Sequence, residues 1–234
     1  MGLTASGRVL ERQSSLALVK KYFGDWKRGD YKGEIPAEPP QTEPKTTHVD
    51  WPTATLPLVA VAFKAPAYDD ENKDSAVLDI ASYYAFSENS DLYRKLVIEE
   101  QKVDVLEPDN SDHFDPFLFT VTARVKDSKD VDYVEKQVLD TFEALRAKPV
   151  AADKLEEIKS HLLYEFALGL NSTARIANTL ASFVSLRRTP ETMNKRYSLY
   201  RTVTPADVQT AAQKYFIPQG RTIATLSHKA EQAK

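Results

Sequence analysis

The sequence predicts an α+β fold: a mostly antiparallel sheet with helices packed on one face, on the split β-α-β-β-α-β plan with extra helices. Three observations predict it. Residues 56–64, LPLVAVAFK, form a nearly continuous apolar run of strand length, which suits a sheet interior. Residues 117–125 alternate: Phe117, Phe119, Val121, Ala123 and Val125 share one side, while Thr120, Thr122 and Arg124 share the other. Residues 204–216, TPADVQTAAQKYF, read as a capped helix, with Thr204 as N-cap, Pro205 in the first turn and Asp207 at capping-box spacing. Val208, Ala211, Ala212, Tyr215 and Phe216 form its apolar stripe and Gln213 its polar side. Pro218 stops it, and the β-branched run RTIATLS follows as a strand.

The other elements follow in chain order. SLALVKKYFGDW, residues 15–26, is helical, and the preceding MGLTASGRVLERQS matches no pattern. Residues 27–55, with prolines at 36, 39, 40, 44 and 52 and few large apolar side chains, read as an extended linker, so the compact domain is expected to begin near Leu56. Residues 74–86 form a helix with Val77, Leu78, Ala81, Tyr84 and Ala85 on one side; a second, capped by Ser90, reaches Glu100. Residues 103–107 are a short strand, and residues 108–116, holding two prolines and His113, are a hairpin loop. Residues 130–147 present Val131, Val134, Val138, Phe142 and Leu145 on one helical face before Pro149. Residues 152–168 present Leu155, Ile158, Leu162 and Phe166, and Gly169 ends that helix. Two more helices carry Ile176, Leu180, Phe183 and Val184, and run from Thr189-Pro190-Glu191 to Tyr200.

Composition narrows the function. A net charge of -3 without a basic window argues against a nucleic-acid surface. The absence of cysteine excludes disulfides, thiol nucleophiles and cysteine-ligated zinc. No apolar run has the ~18–20 residues of a membrane span. The histidines, His48, His113, His161 and His228, lie far apart. His161 has Glu165 one helical turn on, which reads as an exposed polar pair rather than a metal site. His113 lies among Asp109, Asn110, Asp112 and Asp115, which reads as a solvated hairpin tip without calcium-loop spacing. Glu88, Glu99 and Glu100 read as a solvated face. Arg187-Arg188 reads as a solvated helix end, with contact to a peptide carboxylate as the functional alternative. No catalytic residue and no metal ligand is assigned.

The capped helix and final strand at 204–227 resemble the close of a domain in the insulinase/pitrilysin-like zinc metallopeptidases, which include the mitochondrial processing peptidase. SLALVKKYFGDW resembles the last helix of the preceding domain in that family. FKAPAY at 63–68 and SENSDLYRKLV at 87–97 resemble the opening strand and short second helix of the bacterial members' second domain. The resemblance implies the same α+β fold. The family's catalytic domain carries His-x-x-Glu-His, whose histidines bind zinc and whose glutamate is the general base; this chain lacks the motif.

The resemblance therefore implies a non-catalytic, inactive domain of a zinc metalloendopeptidase, with no cofactor of its own and with zinc in a companion catalytic domain of the same protein. It implies a fragment in which residues 1–26 are the tail helix of a preceding domain or a cloning remnant, 27–55 the linker and 56–234 the inactive domain. The domain would form part of a chamber for peptide substrate and support proteolysis. In the family's zinc-free halves an Arg and a Tyr meet substrate; Leu118 falls near the Arg position here, and Tyr133 stands for the Tyr. Tyr133, Arg187 and Arg188 are thus the substrate-contact candidates. The expected partners are the catalytic domain, a peptide and a second copy in a homodimer, with no nucleic acid and no membrane span. The expected location is the bacterial periplasm or cell envelope, with the cytoplasm as alternative. The rival function is a non-enzymatic structural subunit, like the core subunits of the respiratory bc1 complex.

Overall fold

The computed structural model describes residues 12–30, 36, 38–187 and 189–228. Helix α1 spans Arg12–Phe23. The sheet is built from β1 (Lys45–Trp51), β2 (Leu58–Ala65), β3 (Val103–Asp109), β4 (Phe117–Val125) and β5 (Arg221–His228) in the order β1-β5-β2-β4-β3. Only β1 and β5 run parallel. Between β2 and β3 lie α2 (Asp74–Phe86) and α3 (Asp91–Tyr93), which runs on into a π-helical turn at Arg94–Glu99. Between β4 and β5 lie α4 (Val131–Ala147), α5 (Ala152–Gly169), α6 (Thr173–Arg187), α7 (Glu191–Thr202) and α8 (Pro205–Tyr215). The mostly antiparallel α+β plan expected from the sequence is the observed one.

Register and burial give the sheet two unlike faces. Val59, Val61 and Phe63 of β2 are buried and align respectively with Ala123, Val121 and Phe119 of β4, and Val61 also aligns with Ile223 of β5. Helices α2, α4 and α8 cover this face. Five phenylalanines fill the layer. Phe142 of α4 lies 4.8 Å from Phe63, 4.6 Å from Phe86, 5.8 Å from Phe119 and 4.8 Å from Phe216, ring centre to ring centre. All five are at most 3% exposed. Such tilted pairs add about 0.5–1.5 kcal/mol each beyond the burial of apolar area. Helices α5 and α7 pack outside α2, and α6 packs on α7.

The sheet differs from expectation at its edge. Residues 45–51 fall inside the segment read as linker, yet they pair with β5 from Lys45↔Thr222 to Trp51↔His228. Pro44 and Pro52 flank this strand without interrupting it. Every side chain of β1 is exposed, so burial left no periodicity to read.

Helix α8 has the predicted cap: Asp207 N–H donates to Thr204 Oγ1, Thr204 N–H donates to Asp207 Oδ2 at 2.9 Å, and Lys73 adds a 2.6 Å ion pair to Asp207. Gln213 is not idle, contrary to its reading as a plain polar face. Its side-chain amide donates to Arg146 O at 3.0 Å, and Gln209 donates to the same carbonyl at 3.2 Å, so α8 satisfies the C-terminal end of α4. The helix expected over 90–100 also changes character. Ser90 caps it as predicted, but Glu100 N–H reaches Lys95 O and Lys102 N–H reaches Leu96 O, and Gln101 closes the turn at φ 51°.

Phe142→Ala and Phe216→Ala are each expected to cost about 3–5 kcal/mol in chemical denaturation, against about 1 kcal/mol for Thr204→Ala. A Thr204→Ala cost exceeding both would contradict a phenylalanine-centred core. Gln101→Gly is expected to stabilise by about 0.5–1 kcal/mol, because relief of the left-handed φ exceeds the extra chain entropy that glycine adds to the unfolded state; a loss of stability in the same measurement would show that the entropy or the Gln101 side chain outweighs the backbone cost.

Candidate functional site

The sheet face turned away from α2, α4 and α8 is one surface open to a partner among the described residues. Across its middle, Thr47, Ala224, Ala60 and Thr122 align from β1 through β5 and β2 to β4. In the next row Val49 meets Leu226, and Leu226 meets Leu58. The middle row is small and neutral, so an approaching chain can come close to the backbone. Charges lie toward the periphery, where Arg124 grips Asp104 with two nitrogens at 2.7–3.1 Å. Val49 and Trp51 are 45% and 46% exposed and share this face. A second uncovered surface is α1, whose Leu16, Val19, Tyr22 and the following Trp26 are exposed; α1 does not pack extensively on any other described element.

Tyr133 lies in the first turns of α4 against the π-helical turn. Its hydroxyl donates to Glu100 Oε1 at 2.8 Å. Lys95 and Lys102 stand over its ring, with Nζ 5.7 and 5.4 Å from the ring centre. Lys95 also donates to Gln137 at 2.5 Å, and Lys102 pairs with Asp130. Glu100, read as part of a solvated face, is instead half-buried under Tyr133. The π-turn explains this, since the wider turn rotates Glu100 away from the direction a 3.6-residue helix would give it. Leu118, which the resemblance puts near the family's Arg, is on the sheet face opposite the core, paired with Lys64. Arg187 ends α6, and its side chain is outside the described residues, as is the whole of Arg188. The structure therefore does not bring the candidate contacts together into one described site.

One group singles out residues that the sequence pattern missed. Arg196 of α7 is 4% exposed and carries a guanidinium shared between Asp79 of α2 and Asp112 of the β3–β4 loop, the latter at 2.9 Å. Tyr200 also binds Asp79, and Arg196 stacks 5.1 Å from the Tyr68 ring centre. Although burial alone would lower it, Asp79, Tyr200 and Asp112 hold the Arg196 pKa well above its usual range. Burial, reinforced by Asp79 and opposed by Arg196, pushes the Asp112 carboxyl up. The loop around His113 is thus pinned and not a free solvated tip: Asp112 binds Arg196, Asn110 donates to Asp79 at 2.8 Å, and the His113 carbonyl accepts from Tyr68 N–H at 2.8 Å. The reason is long-range charge, since Asp79 and Arg196 lie on different helices. His161 and Glu165, read as an exposed polar pair, lie 3.2 Å apart and are about half-exposed, and Tyr83 adds a 2.6 Å contact to the same imidazole nitrogen. Among the described residues no cluster of three or more His, Cys, Asp or Glu is placed to hold a metal ion, and no helix is long and apolar enough to cross a membrane.

The model of a protein family described as the peptidase M16 inactive domain matches residues 5–162. The chain belongs to this family. A search of curated proteins returns no match. Among solved structures, the M16 chain is similar to a protease from Helicobacter pylori, with 23% identity and a TM-score of 0.82 over 93% of this chain and 53% of that one. It is similar to the periplasmic protease PqqL from Escherichia coli, with 16% identity and a TM-score of 0.68 over 95% of this chain and 25% of that one. It is also similar to a chain of Complex III2 from Candida albicans with Inz-5 bound, with 12% identity and a TM-score of 0.65 over 78% and 45% of the two chains. These likenesses show the fold. The M16 chain spans about half the length of the Helicobacter protease.

The Arg196 group gives a test with a sign. Arg196→Met leaves Asp79 and Asp112 facing each other without a cation, and is expected to cost about 3–5 kcal/mol at pH 7. Burial already pushes the Asp112 carboxyl up, and Arg196 is the charge that opposes this; without that cation protonation of Asp112 favours the folded state, and the deficit shrinks as pH falls toward 4. Urea denaturation at both pH values measures it; an equal deficit at both would show that the carboxylates do not depend on Arg196.

Proposed function

We propose that this M16 inactive domain is the non-catalytic part of a zinc metalloendopeptidase. Its open sheet face forms part of the wall of a peptide-binding chamber, and a companion domain of the same protein holds the zinc and cleaves. The observation that carries this reading is the coverage: nearly all of this chain matches about half of a protease, leaving the other half of that protein to a further domain. The neutral middle of the open face suits contact with an extended backbone, and the uncovered α1 suits packing on a neighbouring domain. Tyr133, Arg187 and Arg188 are proposed as peptide contacts; at Tyr133 the hydroxyl is engaged by Glu100, so the ring edge and Lys95 would meet the peptide. A periplasmic or envelope location is supported by the likeness to PqqL. The structural-subunit alternative has weaker support, because the Complex III2 likeness is one of fold at 12% identity.

The isolated chain is expected to bind less than stoichiometric zinc after dialysis and to cleave no peptide in a broad fluorogenic panel. The product of the complete reading frame is expected to contain His-x-x-Glu-His and to cleave in a chelator-sensitive way. Chelator-sensitive turnover by the chain alone, or one zinc per chain lost in His161→Ala, would overturn the non-catalytic reading. A complete reading frame without the zinc motif would favour the structural subunit.

A further inference from the structure

The two edges of the sheet are built differently. On β3, Pro108 removes a donor, a register shift between Val103 and Val105 bends the strand, and Asp104, Glu107 and Asp109 add charge. These are the usual devices that block pairing at an exposed edge. β1 has fewer of them: its register with β5 is continuous over seven residues and no proline lies within it, and although Lys45 and Asp50 are charged, Thr46, Thr47 and Val49 are not. Its outer backbone groups pair with no described strand. Lys45, Thr47, Val49 and Trp51 share one face, Thr46, His48 and Asp50 the other, and all are exposed.

We infer that β1 is a self-association edge, on which two copies of the chain pair their β1 strands antiparallel about a twofold axis at Val49 and join their sheets. A twofold axis normal to a sheet keeps each side chain on its own face, so directly opposed residues must be an even number of positions apart. With the axis at Val49, the two valines meet, each His48 faces Asp50 of the other copy, and each Thr47 faces Trp51. Apolar meets apolar, and an acid meets a histidine twice, which are favourable cross-strand pairs. With the axis at His48, two imidazoles would face each other and each Trp51 would face Lys45. A second copy also supplies an edge with the same shape and the same unbroken register, which is what an isologous contact requires. The overlap is short, below the roughly 1,200 Å² of standard interfaces, so the dimer is weak and forms with rising concentration.

Sedimentation of the purified chain over a wide concentration range tests this. The chain is expected to shift from monomer to dimer, and Val49→Lys to weaken the dimer at least about tenfold while leaving the thermal transition unchanged. The chain has no native cysteine, so Val49→Cys with diamide is expected to give a disulfide-linked dimer and His48→Cys none, because only opposed strand positions at the axis bring their Cα atoms within about 7 Å. A monomer at every concentration, a dimer indifferent to Val49→Lys, or cross-linking at His48→Cys in place of Val49→Cys would overturn the inference. So would a monomer whose 46–50 amides become protected only on adding an extended peptide, which would assign the edge to peptide binding. None of these outcomes bears on zinc or turnover in the complete protein, so failure here is distinguishable from failure of the peptidase reading.

Discussion

Phe142 is the contact on which the rest of the structure depends. It stands on α4 and touches Phe63 of β2, Phe86 at the end of α2, Phe119 of β4 and Phe216 just after α8. One ring therefore joins the two central strands to three helices that are far apart in sequence. Fully burying a side chain of this size contributes about 1.5–3 kcal/mol, and the loss of several ring contacts at once is why truncation here exceeds the loss of a helix cap. The cluster also fixes which side of the sheet is covered.

That one-sidedness shapes the functional surface. Because the helical mass collects over the Phe142 layer, the opposite face keeps small neutral residues across its middle and, among the described residues, no helix of its own. An antiparallel sheet tolerates this, since one face can remain open. The chain belongs to the M16 inactive-domain family, and the exposed features described above are surfaces and a strand edge. The charged groups hold structure: Arg196 ties α7 to α2 and to the β3–β4 loop, while Lys159, 7% exposed, reaches Glu156 at 2.7 Å and the Val203 carbonyl at 3.2 Å.

The sequence by itself determined the elements whose burial is periodic. β4 and α8 were legible because one face of each enters the core, and burial imposes a period of 2 or 3.6 on residue choice; β2 was legible as a nearly continuous apolar run of strand length. The missing zinc motif was legible for a different reason, since two histidines one helical turn apart are a local pattern. Tertiary structure decided what local pattern does not encode. β1 is a strand because β5, at the far end of the chain, offers it a ladder; with every side chain in solvent, nothing periodic was left in its sequence. The π-turn and the left-handed Gln101 place Glu100 beneath Tyr133, which a regular helix would not do. Asp79, Asp112 and Arg196 look like ordinary surface charges in sequence, and they become a buried group only when two helices and a loop converge and remove the water between them.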